Sequence, residues 1–302
     1  MTGPDLLAAE FEAHRVQLRS VAYRMLGSLA DADDAVQEAW LRLARADTAG
    51  VDNLGGWLTT VVGRICLDML RSRRRHPEQS LDAHVPDPIV TRIDQPDPEG
   101  EAVMADAVGL ALMVVLERLS PPERLALVLH DTFAVPYAEI APMLGRSVAA
   151  TKQLASRARS RVRSGPTSDD SGSTELGPDD RAQRRQVVQS FLGAARSGDF
   201  AALVSLLHPD VILRADAGPA AANVLVGAQV VTARVAQYTQ FAGSAREVLV
   251  NGSPGIVVAP DGRPIAVIAF HLRGGRIIEI DILADAERLR HLDLSAGLAG
   301  QQ

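Results

Sequence analysis

Four groups of side chains have types and spacings that could do chemistry. The first lies in SVAATKQLASRARSRVR, where Ser147, Thr151, Lys152, Gln153, Ser156 and Arg157 precede Arg159, Arg161 and Arg163. Donors suited to base edges come first, and guanidinium groups suited to phosphate oxygens follow. No acid interrupts residues 148–163. That is the chemistry of duplex DNA recognition, not of bond making. The second group, Arg71, Arg73, Arg74 and Arg75, closes an apolar run that begins at Trp57. Cations at a helix C-terminus complement its dipole. Four arginines in five positions exceed that need and point to phosphate contacts. The third group is Asp31, Asp33, Asp34, Gln37, Glu38 and Leu41. These are either the capping and solvation of a helix start or an acidic, partly apolar face for a basic partner helix. The fourth is Asp216, His271, Glu279 and Asp281, residue types used in acid–base work. Glu279 and Asp281 alternate with Ile278, Ile280 and Ile282, so a strand would put them on one face. No spacing fixes an acid–base pair, and Tyr238 is the one tyrosine available to that region. No catalytic residue, metal ligand or cofactor is assigned, and the expectation is a solvated polar sheet face.

The elements that must position these groups can be read from periodicity and punctuation. Ser120-Pro121-Pro122 is a helix start, because proline in the first turn wastes no amide. Leu125, Val128 and Leu129 repeat at helical spacing until Val135-Pro136 breaks the pattern. Tyr137, Ile140, Ala141 and Leu144 face inward on the next short helix, which Gly145 ends. Ser147 caps a third helix from Val148 to Arg163 that buries Val148, Leu154, Ala158 and Val162. The last two helices form a helix-turn-helix. Upstream, residues 5–45 read as two helices. Phe11, Leu18, Val21, Ala22, Met25 and Leu26 stripe the first. Gly27-Ser28 interrupts, Asp31 caps the second, and Val36, Ala39, Trp40 and Leu43 stripe it. Trp57, Val61, Ile65, Asp68 and Met69 trace one face of a long helix ending in the arginines. Residues 76–100 form an extended linker with Pro77, Pro86, Pro88, Pro96 and Pro98 interleaved with aspartates, and residues 101–119 return to helix. Ser164 to Asp180 is a Ser/Gly/Asp-rich linker. Beyond it come helices around Val187–Ala195 and Phe200–Leu207, a strand at Val211–Leu213 and a helix from Val230 to Phe241. Strands follow at 247–250, 255–259, 265–272 and 276–283, with turns at Asp261-Gly262 and Gly274-Gly275. This order predicts an α+β layer with helices on one sheet face.

Composition sets the bounds. A chain of 302 residues suggests two or three domains, and 47% hydrophobic with 4% aromatic content requires aliphatic, alanine-rich cores. The net charge of −6 rules out a uniformly basic nucleic-acid binder, so DNA affinity must come from local clusters. Cys66 is the single cysteine, which excludes an internal disulfide. No secretory signal pattern and no membrane-length apolar run is present, so the expected compartment is the cytoplasm.

These motifs, taken together, resemble the extracytoplasmic-function (ECF) sigma factors of bacterial RNA polymerase. SLADADDAVQEAWLRL resembles region 2.2, WLTTVVGRICLDMLRSRRR regions 2.3 and 2.4, and the stretch LERLSPPERLALVLHDTFAVPYAEIAPMLGRSVAATKQLASRARSRVR region 4. The resemblance implies that Asp31, Asp33, Asp34, Gln37, Glu38 and Leu41 face the β′ clamp helices, with the β flap as a further polymerase contact. It implies that Trp57, Arg64, Arg71, Arg73, Arg74 and Arg75 hold the melted minus-10 element. Ser147, Thr151, Lys152, Gln153, Ser156, Arg157, Arg159 and Arg163 would engage the minus-35 element. Many of these factors carry Asn where Arg64 stands. The C-terminal part resembles a SnoaL-like, NTF2-like cone domain, a fold that encloses a pocket with room for a small-molecule ligand. Sigma factors with this tail form a subgroup in which the tail regulates activity in cis. HVPDPIV resembles its WLPEP-type linker motif, with His84 in place of Trp, and DAERL its NPDKL-type motif, with Ala286 in place of Pro. The implied regulatory contact joins Pro86 and Pro88 to Asp285, Arg288 and Leu289. The expected architecture is multidomain. Two all-α sigma domains, a region 2 helical bundle (1–76) and a region 4 helix-turn-helix (101–165), are separated by a linker (77–100). A second linker (166–180) leads to an α+β NTF2-like domain (181–302). A different reading is a DNA-binding regulator whose tail is a small-molecule sensor or enzyme.

Overall fold

A computed structural model describes residues 3–46, 53–75, 84–93, 109–163, 178–218 and 221–294. Among the described residues, no helix is long and apolar enough to cross a membrane. The chain falls into two compact units, Met1–Pro77 with Val115–Ser164, and Glu78–Val114 with Gly165–Gln302.

The first unit is helical. Helix α1 (Gly3–Leu26) and α2 (Leu29–Leu43) form a hairpin closed by Gly27, whose φ of +72° suits glycine. The cap of α2 is Ser28, not Asp31: the Ser28 hydroxyl accepts from the Asp31 amide at 3.3 Å, which leaves Asp31 in the first turn. Helix α3 (Leu54–Arg75) packs on both α1 and α2. Its buried face runs through Leu58, Val62, Ile65, Cys66 and Leu67, with Trp57, Val61 and Met69 only half-buried. The shift from the face expected has a cause. Helix α3 also receives α5 (Pro121–Leu127) and α6 (Tyr137–Leu144), so its buried arc is wider than one stripe. Gly63 permits that approach, because a Cβ there would lie 3.3 Å from Leu129 Cδ1 and 3.4 Å from Leu125 Cδ1. Arg124 is buried at the same junction and donates from Nε to the Arg24 carbonyl at 2.8 Å.

Helix α4 spans Leu110–Glu117. Ser120 and Glu123 cap α5, with the Ser120 amide donating to the Glu123 carboxylate at 3.0 Å. Gly145 ends α6 at φ +62°, and the Ser147 hydroxyl accepts from the Ala150 amide at 3.2 Å to start α7 (Val148–Arg163). Helix α7 buries Thr151, Leu154, Ala155 and Ala158, while Val148 is exposed and Val162 half-buried. Leu154 and Ala158 are thus buried as expected, and Thr151 and Ala155 take the places given to Val148 and Val162.

The second unit is built on a seven-stranded sheet of order β1-β4-β5-β6-β7-β2-β3. The strands are β1 (Val90–Thr91), β2 (Leu207–Asp216), β3 (Asn223–Val226), β4 (Ala245–Val250), β5 (Ser253–Val258), β6 (Ala266–Arg273) and β7 (Arg276–Leu283). All neighbours are antiparallel except β2 and β7. Helices α8 (Pro178–Ser197), α9 (Phe200–Leu206) and α10 (Ala228–Ala236) bring Val188, Phe191, Leu203 and Val231 into one apolar core with Leu213, Ile256, Phe270 and Ile280. Helix α11 (Ala286–His291) follows β7 and is the last helix among the described residues. Strand β1 comes from the interdomain linker and pairs with β4 through Val90↔Val250. Residues 84–93 of the linker, which include Pro86 and Pro88, are non-helical as expected and supply a sheet edge, while the rest of the linker lies outside the described residues.

Candidate functional sites

Helix α2 presents Asp33, Asp34, Gln37 and Leu41 on its exposed side, Leu41 at 41% exposure. Glu38 sits beside them, paired to Arg42 at 2.9 Å, and Arg19 bridges to Asp33 at 2.7 Å. Alanines at 32, 35 and 39 and Val36 face inward. The helix therefore sorts cleanly into a small-residue packing face and an acidic, partly apolar outer face. Asp31 differs: it is half-buried and forms an ion pair with Arg73. Arg73 also donates to the Leu26 carbonyl at 3.1 Å, so the arginine cluster is tied through Arg73 to the α1–α2 turn. Arg64 and Arg71 are exposed, and Trp57 is half-buried. Arg74 and Arg75 lie in the last turn of α3, and their side chains fall outside what is described.

Ser147, which caps α7, and Lys152, Gln153, Ser156, Arg157 and Arg163 on it are exposed. Thr151 is placed differently. It is 0% exposed, and its hydroxyl donates to the Ser147 carbonyl at 3.0 Å. A side chain so committed steadies the first turn and presents nothing to a groove. Arg159 is half-buried and engaged by Asp131 and Tyr137. Its hydrogen bonds to Asp131 hold the guanidinium in its charged form more firmly than usual.

In the second unit, the linker and α11 meet. Arg288 donates from Nε to Asp87 at 2.8 Å, from Nη1 to Asp216 at 2.8 Å and from Nη2 to the Val85 carbonyl at 2.6 Å. The Val85 amide returns a bond to Asp216 at 3.1 Å, and His84 Nδ1 lies 3.0 Å from the same carboxylate. Burial alone would raise the Asp216 carboxyl. His84, the Val85 amide and the Arg288 charge more than offset that, and it falls to about 2. Asp285 caps α11 by accepting from Glu287 and Arg288 amides at 2.8 and 3.1 Å. Leu289, Pro86 and Pro88 are buried. A second tie joins Ile89 and Asn251, amide to side chain at 3.0 Å and amide to carbonyl at 2.8 Å. Sequence reasoning missed His84, Val85, Asp87 and Asn251 in this clasp. Asn251-Gly252, with φ of 48° and 76°, is an Asn-Gly hairpin signal that was there to be used.

The acid–base candidates correct an expectation. Arg214, Glu279 and Asp281 are buried, at 2%, 2% and 1% exposure, not on a solvated face. Alternation and register put them with His271 on the side of the sheet opposite the helix-covered core. Arg214 pairs with Glu279 and with Asp281 at 3.0 Å, and His271 Nε2 lies 2.7 Å from Asp281. Burial opposes ionisation of Asp281, but these partners leave its carboxyl below the usual range. Asp216 belongs to the linker clasp instead. The helix-covered side, where a cone pocket would open, is packed with Phe191, Leu203, Phe270 and Ile280.

Comparison with known proteins agrees with this division. Residues 11–76 match the family Sigma-70 region 2, and residues 109–162 match Sigma-70, region 4. The chain is 40% identical over 295 residues to the ECF RNA polymerase sigma factor SigJ of Mycobacterium tuberculosis, covering 93% of this chain and 92% of that protein. It is 33% identical over 301 residues to the probable ECF RNA polymerase sigma factor SigI of the same species, covering 98% and 99%. The crystal structure of the M. tuberculosis extracytoplasmic function sigma factor SigJ superposes with a TM-score of 0.74 at 37% identity, over 95% of this chain and 99% of that one.

Proposed function

Because the chain belongs to the ECF RNA polymerase sigma factors, we propose how its surfaces divide the work and that its C-terminal unit governs them in cis. A sigma factor binds core polymerase and promoter DNA and directs initiation, and such factors are generally regulators without catalysis. On this chain, the outer face of α2 (Asp33, Asp34, Gln37, Glu38, Leu41) docks on the β′ clamp helices, and region 4 meets the β flap. Asp31 supports that face through Arg73. Trp57, Arg64, Arg71, Arg73, Arg74 and Arg75 hold the melted minus-10 strand, with cations along the backbone and a ring to stack on. Ser147, Lys152, Gln153, Ser156, Arg157 and Arg163 engage the minus-35 duplex, with the N-terminal half of α7 in the major groove. The protein acts in the cytoplasm, where polymerase works.

The observation that carries the cis-regulatory reading is the Arg288 clasp. The linker joins the two promoter-contacting regions. A linker built into the sheet by β1 and held by Arg288, Asp216 and Asn251 limits how those regions can separate. Releasing it therefore changes promoter engagement. The test is transcription in vitro with core polymerase, comparing the full chain, a chain ending before Arg181, and Asp285→Ala, Arg288→Ala and Leu289→Ala variants. Altered initiation in the truncated and substituted proteins supports the reading. Unchanged activity in all of them refutes cis control, and no promoter-dependent initiation by any of them refutes the assigned roles.

A further inference from the structure

Between α5 and α6 the backbone leaves ordinary helical geometry twice. Val128–Thr132 forms a π-helical turn, and Ala134 takes a φ of 54°, which non-glycine residues seldom adopt. The Val135 amide donates to the Leu129 carbonyl at 2.9 Å across this segment. Its side chains converge on α7. Asp131 accepts from Arg159 Nε at 2.6 Å and Nη2 at 2.8 Å, a two-point fork. Arg159 Nη2 also donates to the Tyr137 hydroxyl at 2.6 Å. The Tyr137 ring stacks on His130 at 3.8 Å between centroids, and His130 Nδ1 lies 3.0 Å from the Val135 carbonyl. One guanidinium thus ties the recognition helix to the π turn and to the first residue of α6.

We propose that Arg159 is a positioning residue for minus-35 recognition: through Asp131 and Tyr137 it sets the angle at which α7 presents Lys152, Gln153, Ser156 and Arg157. This rests on the reading that α7 enters the major groove. Two points separate it from a phosphate contact by Arg159. The fork already spends Nε and Nη2 on protein partners. A carboxylate in direct contact with the guanidinium would also repel an approaching phosphate. The irregular backbone gains a purpose on this view, because it is what carries Asp131 and His130 to Arg159 and Tyr137.

The test uses holoenzyme assembled from the full chain and bacterial core polymerase. The probe is a pool of duplex promoter fragments randomised over the upstream element. The recovered element and a scrambled version then give a specificity ratio and a slope of log affinity against log salt. Asp131→Asn and Arg159→Gln should each lower the ratio about tenfold, roughly the discrimination that one good bidentate pairing with a base supplies, with the salt slope kept. Tyr137→Phe should lower it less, and the Asp131→Asn/Arg159→Gln double variant should be no worse than either alone. A phosphate role predicts otherwise: Arg159→Gln would flatten the slope by about 0.9, and Asp131→Asn would tighten binding to both duplexes. Either result, or an unchanged ratio, overturns the proposal. If Arg159→Gln does not fold, Asp131→Asn and Tyr137→Phe decide, and a preserved ratio in both overturns it. A wild-type holoenzyme that recovers no preferred element refutes the α7 reading itself and this proposal with it.

Discussion

Replacing Arg288 with alanine should free the linker from the C-terminal sheet, and the size of the effect can be worked from the clasp. The Asp216 carboxyl sits at about 2 against 3.8 for a free side chain. That difference corresponds to about 2 kcal/mol of preference for the charged form in the fold, of which Arg288 supplies part. Arg288 also neutralises Asp87, and both carboxylates are buried. Removing one partner of a buried ion pair costs about 3–5 kcal/mol where no water replaces it. Arg288 keeps one-fifth of its side chain exposed, so water enters and a loss of about 2–3 kcal/mol is the better figure. The local readout is amide hydrogen exchange. Val85 donates to Asp216, and Ile89 donates to Asn251. The Val85 amide should exchange roughly 30- to 150-fold faster in Arg288→Ala, while amides of α1 in the first unit keep their rates. The pH dependence has a definite sign. A folded-state value lowered below the unfolded one gives stability present above about 4, which fades as pH falls toward about 2. Wild-type protection of Val85 should hold from neutral pH down to about 4. In Arg288→Ala the fade should still start near about 4 but be complete at a higher pH than in the wild type, because one of the charges holding Asp216 ionised is gone. Exchange at Val85 within about threefold of wild type would mean that the Arg288 guanidinium hydrogen bonds contribute nothing to linker placement, and the argument would fail.

Two further substitutions probe the first unit. Gly63→Leu forces a side chain between α3 and the Leu125–Leu129 ridge and should cost about 1–3 kcal/mol. Cys66 reports the consequence, since burial pushes its thiol up to about 12 and keeps it inert. Thiol-reagent labelling at about pH 8 should be negligible in the wild type and rise in Gly63→Leu, and equal protection in both proteins would show that α3 and α5 accommodate the added volume. Asp34→Arg reverses charge on the exposed face of α2. It should weaken core-polymerase binding by at least about tenfold in a pull-down titration while folding stability moves by no more than about 0.5 kcal/mol; unimpaired binding would remove Asp34 from the docking face.

Much of the helical unit was legible because its punctuation is local. Pro121-Pro122, Gly145 and Ser147 each act through their own backbone, so the boundaries they predict are the ones found. Buried faces were less legible. The stripes assigned to α3 and α7 missed Leu58, Val62, Thr151 and Ala155. A periodic pattern says that a helix has an apolar side, but the number of neighbours sets how wide that side becomes. Gly63 looks neutral in sequence, yet it lies where α5 and α6 close on α3.

The C-terminal sheet shows the sharper limit. Alternation correctly separated Glu279 and Asp281 from Ile280 and Ile282, but a bulge in the β6–β7 pairing puts Ile277 rather than Ile278 in the helix-covered core. The inference that the charged face is solvated failed, because it treats charge as a marker of water. Charges are buried when partners satisfy them, and here the partners are distant in sequence: Arg214 on a strand paired in parallel with β7, and His271 across the hairpin from Glu279. Asp216, two residues beyond Arg214 on the same strand, follows the same rule with Arg288 and His84. An aspartate in a proline-rich linker, such as Asp87, looks like a solubilising spacer until a cation elsewhere in the chain is known to reach it. The linker's placement therefore resides in pairings spanning 201 residues, which local spacing does not encode.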